Sequence, residues 1–145
     1  MTKKIIIIGS GFSSISASTY LADKGYDVTI LEKNKSFGGR ARKFKEQGFT
    51  FDMGPSWYWM PDVFEKYFND FNKSVDDYYT LKKLDPAYRV YFAKNDFIEI
   101  GDNLEKISQT FEEHEKGSSK KLMKFMAEAK QNYSIAMEKV VYKPG

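Results

Sequence analysis

The sequence contains no cysteine and a single histidine, His114, among its 145 residues. The absence of cysteine excludes disulfide bonds, thiolate metal ligands and a cysteine nucleophile. His114 lies among Glu112, Glu113 and Glu115, so we expect a solvated or loosely paired side chain rather than a catalytic one. One histidine cannot form a metal cluster by itself. No metal ligand is therefore predicted, and no catalytic acid or base can be assigned.

Long apolar runs are also missing. The apolar residues 5–8, which follow Lys3 and Lys4, form too short a run for a signal peptide. No segment approaches the roughly 20 apolar residues of a membrane-spanning helix. We therefore expect a cytoplasmic protein, and peripheral contact with the inner face of the cell membrane stays open. The net charge of +3 comes from interspersed lysines and acids, so we predict no nucleic-acid surface.

Aromatic residues are abundant, at 17% of the chain, with twelve Phe and ten Tyr. This content indicates a large apolar ligand, an extended interface or an ordinary core rich in aromatic rings. The length is that of one ordinary domain, and it is sufficient to bury a core.

The N-terminal stretch has the pattern of a nucleotide-binding β-α-β unit. The apolar residues 5–8 predict a strand that is buried on both faces of a parallel sheet. A helix is predicted over residues 13–24, with Gly25 as its stop. A second strand, residues 26–31, ends at the acidic residue Glu32. The sequence therefore predicts the α/β class with a Rossmann-like unit.

A glycine-rich turn separates the first strand from the helix. In the dinucleotide fingerprint G-x-G-x-x-G, the first glycine forms the tight turn and the second lets the backbone approach a pyrophosphate. The third glycine allows close packing of helix against strand, and here Ser14 occupies that position. The N–H groups of the first helical turn can bind a pyrophosphate without a cation. The turn consists of Gly9, Ser10, Gly11, Phe12, Ser13 and Ser14.

Glu32 lies 23 positions after Gly9, close to the spacing of about 20 residues for an acid that binds ribose hydroxyls. A carboxylate at this position accepts hydrogen bonds from ribose and repels a 2′-phosphate. The pattern thus favours an NAD-like ligand or FAD over NADP. The alternative is a structural β-α-β unit whose glycine-rich turn binds nothing.

A second glycine segment follows Glu32 and favours FAD over NAD. Gly38 and Gly39 let the backbone approach a ligand, and Arg40 can pair with phosphate oxygens. A solvated surface is the alternative for Arg40 and its neighbour Arg42.

A hairpin is predicted over residues 44–51, with its turn near Gln47 and Gly48. It leads to Gly54-Pro55, a rigid turn that can present backbone amides to a flat ring. This turn is the third segment that we expect at the cofactor.

The segments GSGFSS, LEKNKSFGGRAR and GFTFDMGPSWYWMPDVFEKYF together resemble the N-terminus of bacterial-type phytoene desaturases. These are FAD-dependent carotenoid desaturases within the amine oxidase-like flavoproteins. The segment LDPAYRVYF, residues 84–92, is similar to a further stretch of the same family. The resemblance implies an oxidoreductase of carotenoid biosynthesis that uses FAD to desaturate an apolar, phytoene-like polyene. The cofactor-binding residues that we predict are Gly9, Ser10, Gly11, Phe12, Ser13, Ser14, Glu32, Lys33, Gly38, Gly39, Arg40, Gly54, Pro55 and Ser56.

Members of this family are much longer, and a C-terminal segment returns to complete their FAD site. We therefore expect this chain to be the N-terminal part of a desaturase and to be inactive alone. Two alternatives stay open: another amine oxidase-like flavoprotein, such as an amine oxidase or a carotenoid isomerase, or a non-catalytic nucleotide-binding fragment.

The chain is expected to divide into residues 1–75, part of an FAD-binding domain, and residues 76–145, part of a substrate domain. Pro61 is expected to begin a helix. Trp57 and Trp59, which precede it with Tyr58 between them, are candidates for lining an apolar substrate tunnel. The apolar face of the helix is formed by Val63, Phe64, Tyr67, Phe68 and Phe71.

The second half is predicted to contain an antiparallel meander with strands over residues 78–84, 88–93 and 97–100. A helix capped by Asp102 is expected to run to about residue 116. A long amphipathic helix over residues 120–142 either docks on its neighbours or lies on a membrane surface.

Overall fold

The computed structural model describes residues 2–54 and 57–143. The chain divides into two compact units, Met1–Val75 and Asp76–Gly145. The first unit contains a parallel strand pair, a hairpin and two helices, and the second contains a hairpin and two helices. This composition of helices and strands is that of the predicted α/β class. The assignment of the units to an FAD-binding and a substrate domain stays a prediction.

The predicted β-α-β unit is present. Strand β1 (Lys4–Ile8) is followed by helix α1 (Phe12–Asp23) and strand β2 (Asp27–Leu31). The two strands pair in parallel, with all five residues of each in register. Gly25, at φ 81°, reverses the chain between α1 and β2, and its N–H donates to the Ala22 carbonyl at 2.9 Å. The positive φ explains why glycine stands at this position.

The two faces of this parallel pair differ in exposure. Ile5 and Ile7 are half-buried, whereas Ile6 and Ile8 are 65% and 86% exposed. The prediction of a strand buried on both faces is therefore wrong for the described residues. The reason is that α1 is the one element of residues 2–54 and 57–75 that contacts the β1–β2 pair, and a single helix covers a single face.

The predicted hairpin is confirmed. Strands β3 (Arg42–Glu46) and β4 (Phe49–Met53) pair antiparallel around Gln47 and Gly48. Both turn residues have positive φ, 48° and 84°, as a two-residue turn of type I′ requires. The twist of such a turn matches that of the strands, so Gly48 stabilises this register.

Helix α2 (Pro61–Asn69) begins at the proline, as predicted. Its side chains reach α1 at two points. The Tyr67 hydroxyl donates to Thr19 Oγ1 at 2.8 Å, and the Tyr20 hydroxyl donates to Asp70 Oδ2 at 2.6 Å. The predicted apolar face of α2 is the less exposed one, so this face lies toward the rest of the first unit.

The second unit contains the hairpin of β5 (Tyr88–Ala93) and β6 (Asp96–Ile100), which confirms two of the three predicted strands. Residues 78–84 form no strand, although their composition favours one. The segment begins directly after a 3₁₀ turn, Val75–Asp77, and the adjacent lysines Lys82 and Lys83 break the alternation of a half-buried strand. The predicted meander is therefore a two-stranded hairpin in the part of the chain that the structure describes.

Helix α3 (Leu104–His114) is capped by Asn103 and not by Asp102, so the predicted cap is wrong by one residue. Asn103 Oδ1 accepts from the Lys106 N–H at 3.0 Å, while the Asp102 carboxylate pairs with the Lys106 ammonium at 3.0 Å. Both asparagine and aspartate can cap a helix. Here the Lys106 ammonium engages the Asp102 carboxylate, and Asn103 accepts from the backbone N–H. The exposed His114 has its Nδ1 3.0 Å from the Thr110 carbonyl oxygen, which confirms a solvated histidine.

Helix α4 (Ser118–Ala136) starts two residues before the predicted boundary and continues as a π-helical turn, Met137–Val141. It contacts α3. On its apolar stripe Leu122 and Ala129 are half-buried, whereas Phe125 is 64% exposed. Docking of α4 on α3 thus explains the burial of part of the apolar stripe. In the described ranges, no helix combines the length and apolar character needed to cross a membrane.

Candidate nucleotide-binding site

The carboxyl end of β1 leads directly into the N-terminus of α1. Gly9, at φ 93°, makes the turn, and its N–H donates to the Leu31 carbonyl at 2.7 Å. The first helical hydrogen bond runs from the Ile15 N–H to the Gly11 carbonyl at 3.0 Å. The preceding N–H groups therefore have no partner within the helix. No side chain caps them and no acid lies in the first turn, so they are available to an anion.

The second glycine segment lies directly on the first. The Gly38 N–H donates to the Ser10 carbonyl at 2.8 Å, and Gly11 and Gly38 form an isolated parallel bridge. A Cβ atom added to Gly39 would lie 3.1 Å from Gly11 Cα, which is too close for ordinary packing. Gly39 has φ 61°, so both the lack of room for a Cβ atom and the backbone conformation favour glycine at this position. The two segments thus form one backbone surface.

The end of the β3–β4 hairpin joins the same place. A Cβ atom on Gly54, which has φ 91°, would collide with the Arg40 carbonyl oxygen. Glycine at position 54 therefore lets the hairpin lie against the second glycine segment. The predicted residues Pro55 and Ser56 lie outside the described residues.

The Glu32 carboxylate ties the first glycine-rich turn to the loop that follows β2. Its Oε2 accepts from the Ser10 N–H at 2.9 Å and from the Ser10 hydroxyl at 2.7 Å. Its Oε1 accepts from the Asn34 N–H at 2.8 Å and from Asn34 Nδ2 at 2.7 Å. The Asn34 N–H and both Ser10 groups lower the pKa of Glu32 to about 2, so the group is anionic at neutral pH.

Two features of this arrangement were not anticipated from the sequence. Ser10 is 1% exposed, and its hydroxyl donates a hydrogen bond to the Glu32 carboxylate. Asn34 was not recognised as part of the site. The available signal was its position two residues after Glu32, where an amide can reach back to the carboxylate in a turn.

The sequence that forms this site is similar to known proteins. Residues 7–73 match the family described as NAD(P)-binding Rossmann-like domain, a range that runs from the end of β1 through α1, β2, the second glycine segment and the hairpin. The chain is 45% identical over 138 residues to a carotenoid 3,4-desaturase from Haloarcula japonica, which corresponds to 95% of this chain and 28% of that protein. The chain is homologous to carotenoid desaturases.

Two further relatives carry a related name. The 4,4'-diapophytoene desaturase (4,4'-diaponeurosporene-forming) of Staphylococcus haemolyticus is 38% identical over 144 residues, 97% of this chain and 29% of that protein. The protein with the same name from Staphylococcus aureus is 39% identical over 145 residues, with the same coverage. The chain thus spans less than a third of the length of these relatives. The predicted resemblance to the carotenoid desaturase family is confirmed.

In this carotenoid desaturase homologue the remaining predicted site residues surround the joined loops. Phe12 begins α1 and contacts the Phe64 ring edge-on, at 6.1 Å between centroids. Ser13 and Ser14 follow in the first helical turn. Lys33 and Arg40 are exposed, and neither forms a salt bridge with another described residue. Both cations are therefore available to an anionic ligand.

Trp57 and Trp59 lie at the surface of the first unit. Their rings stack with centroids 6.3 Å apart, and the side chains are 55% and 65% exposed. The Tyr58 ring instead stacks on Phe64 at 4.7 Å. The two tryptophans thus present an apolar pair outside the core, and their predicted role toward a substrate stays a prediction.

The residues present fit the adenosine diphosphate part of a dinucleotide. Cβ atoms added to Gly9 or Gly11 would meet no atom within 4 Å, so the space beside the loop is open. That space lies next to the N-terminus of α1, and the Glu32 carboxylate lies at the end of the adjacent strand. No group of three or more metal-binding side chains occurs among residues 2–54 and 57–143. The arrangement offers backbone N–H donors beside an anionic carboxylate.

Proposed function

We propose that this chain is the FAD-binding N-terminal portion of an oxidoreductase that desaturates an apolar carotenoid precursor. The observation that carries the proposal is the joining of the two glycine segments with Glu32 in a homologue of carotenoid desaturases. The relatives' names supply the substrate class, and the backbone geometry supplies a place for a dinucleotide.

Each part of the site then has one binding task. The N–H groups from Gly11 onward hold the pyrophosphate, since the helix dipole and the open space favour an anion there. Glu32 accepts from the adenosine ribose. Arg40 adds a guanidinium that pairs with phosphate oxygens. Gly54 brings the end of the hairpin beside Arg40, where its backbone faces the remainder of the cofactor.

When bound, FAD supplies the hydride acceptor for oxidation of a carbon–carbon single bond. The residues of this chain hold and orient the cofactor. Trp57 and Trp59 give an apolar surface for a polyene. We assign no proton transfer to any side chain of this chain.

A cytoplasmic location with peripheral contact to the inner face of the membrane suits an enzyme of lipid-soluble substrates. The exposed apolar side chains of α4, such as Phe125, support such contact, and Lys121 and Lys124 flank them. Co-sedimentation with anionic phospholipid vesicles tests it, and a Phe125→Ser protein should be retained less. Equal retention of both proteins would contradict this contact.

Titration of the purified chain with FAD, followed by quenching of flavin fluorescence, tests the cofactor assignment. Saturable binding is expected, weakened at least tenfold in Glu32→Gln and unchanged in the matched control His114→Ala. The glutamine keeps the size of the side chain, which limits disturbance of the loops. No saturable binding by this chain or by a chain of the relatives' length would refute the proposal.

A further inference from the structure

The Glu32 carboxylate already has all of its acceptor sites in use. Two oxygens of a carboxylate offer about four lone-pair sites. Ser10 donates two hydrogen bonds to Oε2, and Asn34 donates two to Oε1. A ribose hydroxyl that donates to this carboxylate must therefore replace a donor that is present in the free protein.

The four donors are not equally replaceable. Both Ser10 donors lie on a residue that is 1% exposed, so neither ligand nor water can reach the place they would leave. The Asn34 N–H is part of the backbone and moves only with the loop. The Asn34 carboxamide is on an exposed residue and leaves Oε1 by rotation of its own side chain. It is the donor whose departure requires the least change.

The Asn34 carboxamide also resembles the group that would replace it. Asn34 Nδ2 lies 2.7 Å from Glu32 Oε1, a distance that an O–H···O hydrogen bond also adopts. We propose that the Asn34 carboxamide occupies the position of a ribose hydroxyl in the free protein and is displaced from Glu32 when the adenosine diphosphate moiety binds. This inference rests on the proposed function, since it concerns the same site.

The exchange has two consequences. The carboxylate stays fully hydrogen-bonded in both states, so the glycine-rich turn that contains Ser10 remains tied to the end of β2 before and after binding. The exchange also reduces affinity, because each binding event breaks an internal hydrogen bond to an anionic acceptor. Asn34→Ala removes the competitor, and we expect it to tighten ADP binding by about three- to tenfold.

The experiment compares ADP with 2′,3′-dideoxyadenosine 5′-diphosphate on the wild-type chain and on Asn34→Ala, by calorimetry. Tightening is expected for ADP and not for the dideoxy analogue, which has no hydroxyl to replace the amide. Asn132→Ala, an exposed asparagine in α4, is the matched control and should bind as the wild type does. Weaker or unchanged ADP binding by Asn34→Ala, or equal tightening for both ligands, would overturn the inference.

A second readout needs no variant. In the ¹⁵N spectrum of the wild-type chain, the Asn34 side-chain NH₂ signals should move toward those of a solvated asparagine when ADP is added. Signals that keep their free-state positions at saturation would also overturn the exchange while leaving nucleotide binding intact. Absence of ADP binding together with absence of FAD binding, in this chain and in a chain of the relatives' length, would instead refute the proposed function, and the inference would fall with it.

Discussion

Removing the Ser10 hydroxyl tests whether the Glu32 carboxylate holds the glycine-rich turn after β1 against the end of β2. In Ser10→Ala the carboxylate loses the 2.7 Å bond from the hydroxyl and keeps the 2.9 Å bond from the backbone N–H. A hydrogen bond to a charged group contributes about 1.5–3 kcal/mol, and water reaches the half-exposed Glu32. We therefore expect the free energy of unfolding to fall by about 1–2 kcal/mol. The melting temperature should fall by about 2–8 °C.

The assay is urea unfolding followed by tryptophan fluorescence. Both tryptophans of the chain, Trp57 and Trp59, lie in the first unit, so the signal reports the unit that contains Ser10. Ser36→Ala is the matched control, since Ser36 is exposed in the neighbouring loop, and its change should stay within about 0.5 kcal/mol. A loss in Ser10→Ala no larger than that of Ser36→Ala would refute the role assigned to this hydrogen bond.

Three further predictions concern the same site. Gly39→Ala adds a Cβ at positive φ and against Gly11, so it should destabilise the first unit by at least about 1–2 kcal/mol in urea unfolding. Gly25→Ala is the matched control, since Gly25 also has a positive φ but its added Cβ meets no atom within 4 Å, and it should cost less. The pKa of Glu32 is lowered from 4.5 to about 2 in the folded chain. The ionised carboxylate therefore stabilises the fold fully above pH 4.5, and this stabilisation is lost as the pH falls through about 2. In acid unfolding followed by circular dichroism, the free energy of unfolding should depend less on pH in Glu32→Gln than in the wild type. ADP should bind more tightly than 2′-phospho-ADP in calorimetry, because the anionic Glu32 repels the added phosphate, and equal affinities would contradict this placement of the ribose.

The β-α-β unit, the β3–β4 hairpin and the start of α2 were predictable because their signals are local. Residues 5–8 and 26–31 have strand composition, Gly25 stops the helix, and Gln47-Gly48 suits one turn type. Each of these features depends on a few consecutive residues whose backbone preferences agree. The resemblance to carotenoid desaturases lies in the same segments.

Features that depend on distant partners could not be predicted in this way. The exposure of Ile6 follows from which elements cover the sheet, and whether residues 78–84 form a strand depends on a partner strand elsewhere in the chain. The Ser10–Glu32 pair joins residues 22 positions apart. Nothing in the local sequence shows that a serine in a glycine-rich turn points at that acid.

The central claim is that the N-terminus of α1 and the second glycine segment bind one dinucleotide, and ¹⁵N spectra recorded during an FAD titration test it most directly. The account predicts that the backbone amide signals of Gly11, Phe12, Ser13 and Gly39 move together and saturate at one FAD per chain, while those of the β5–β6 turn at Lys94 and Asn95 stay in place. Saturable binding that leaves the glycine-segment amides unmoved would contradict the account, because the cofactor would then lie elsewhere on the chain.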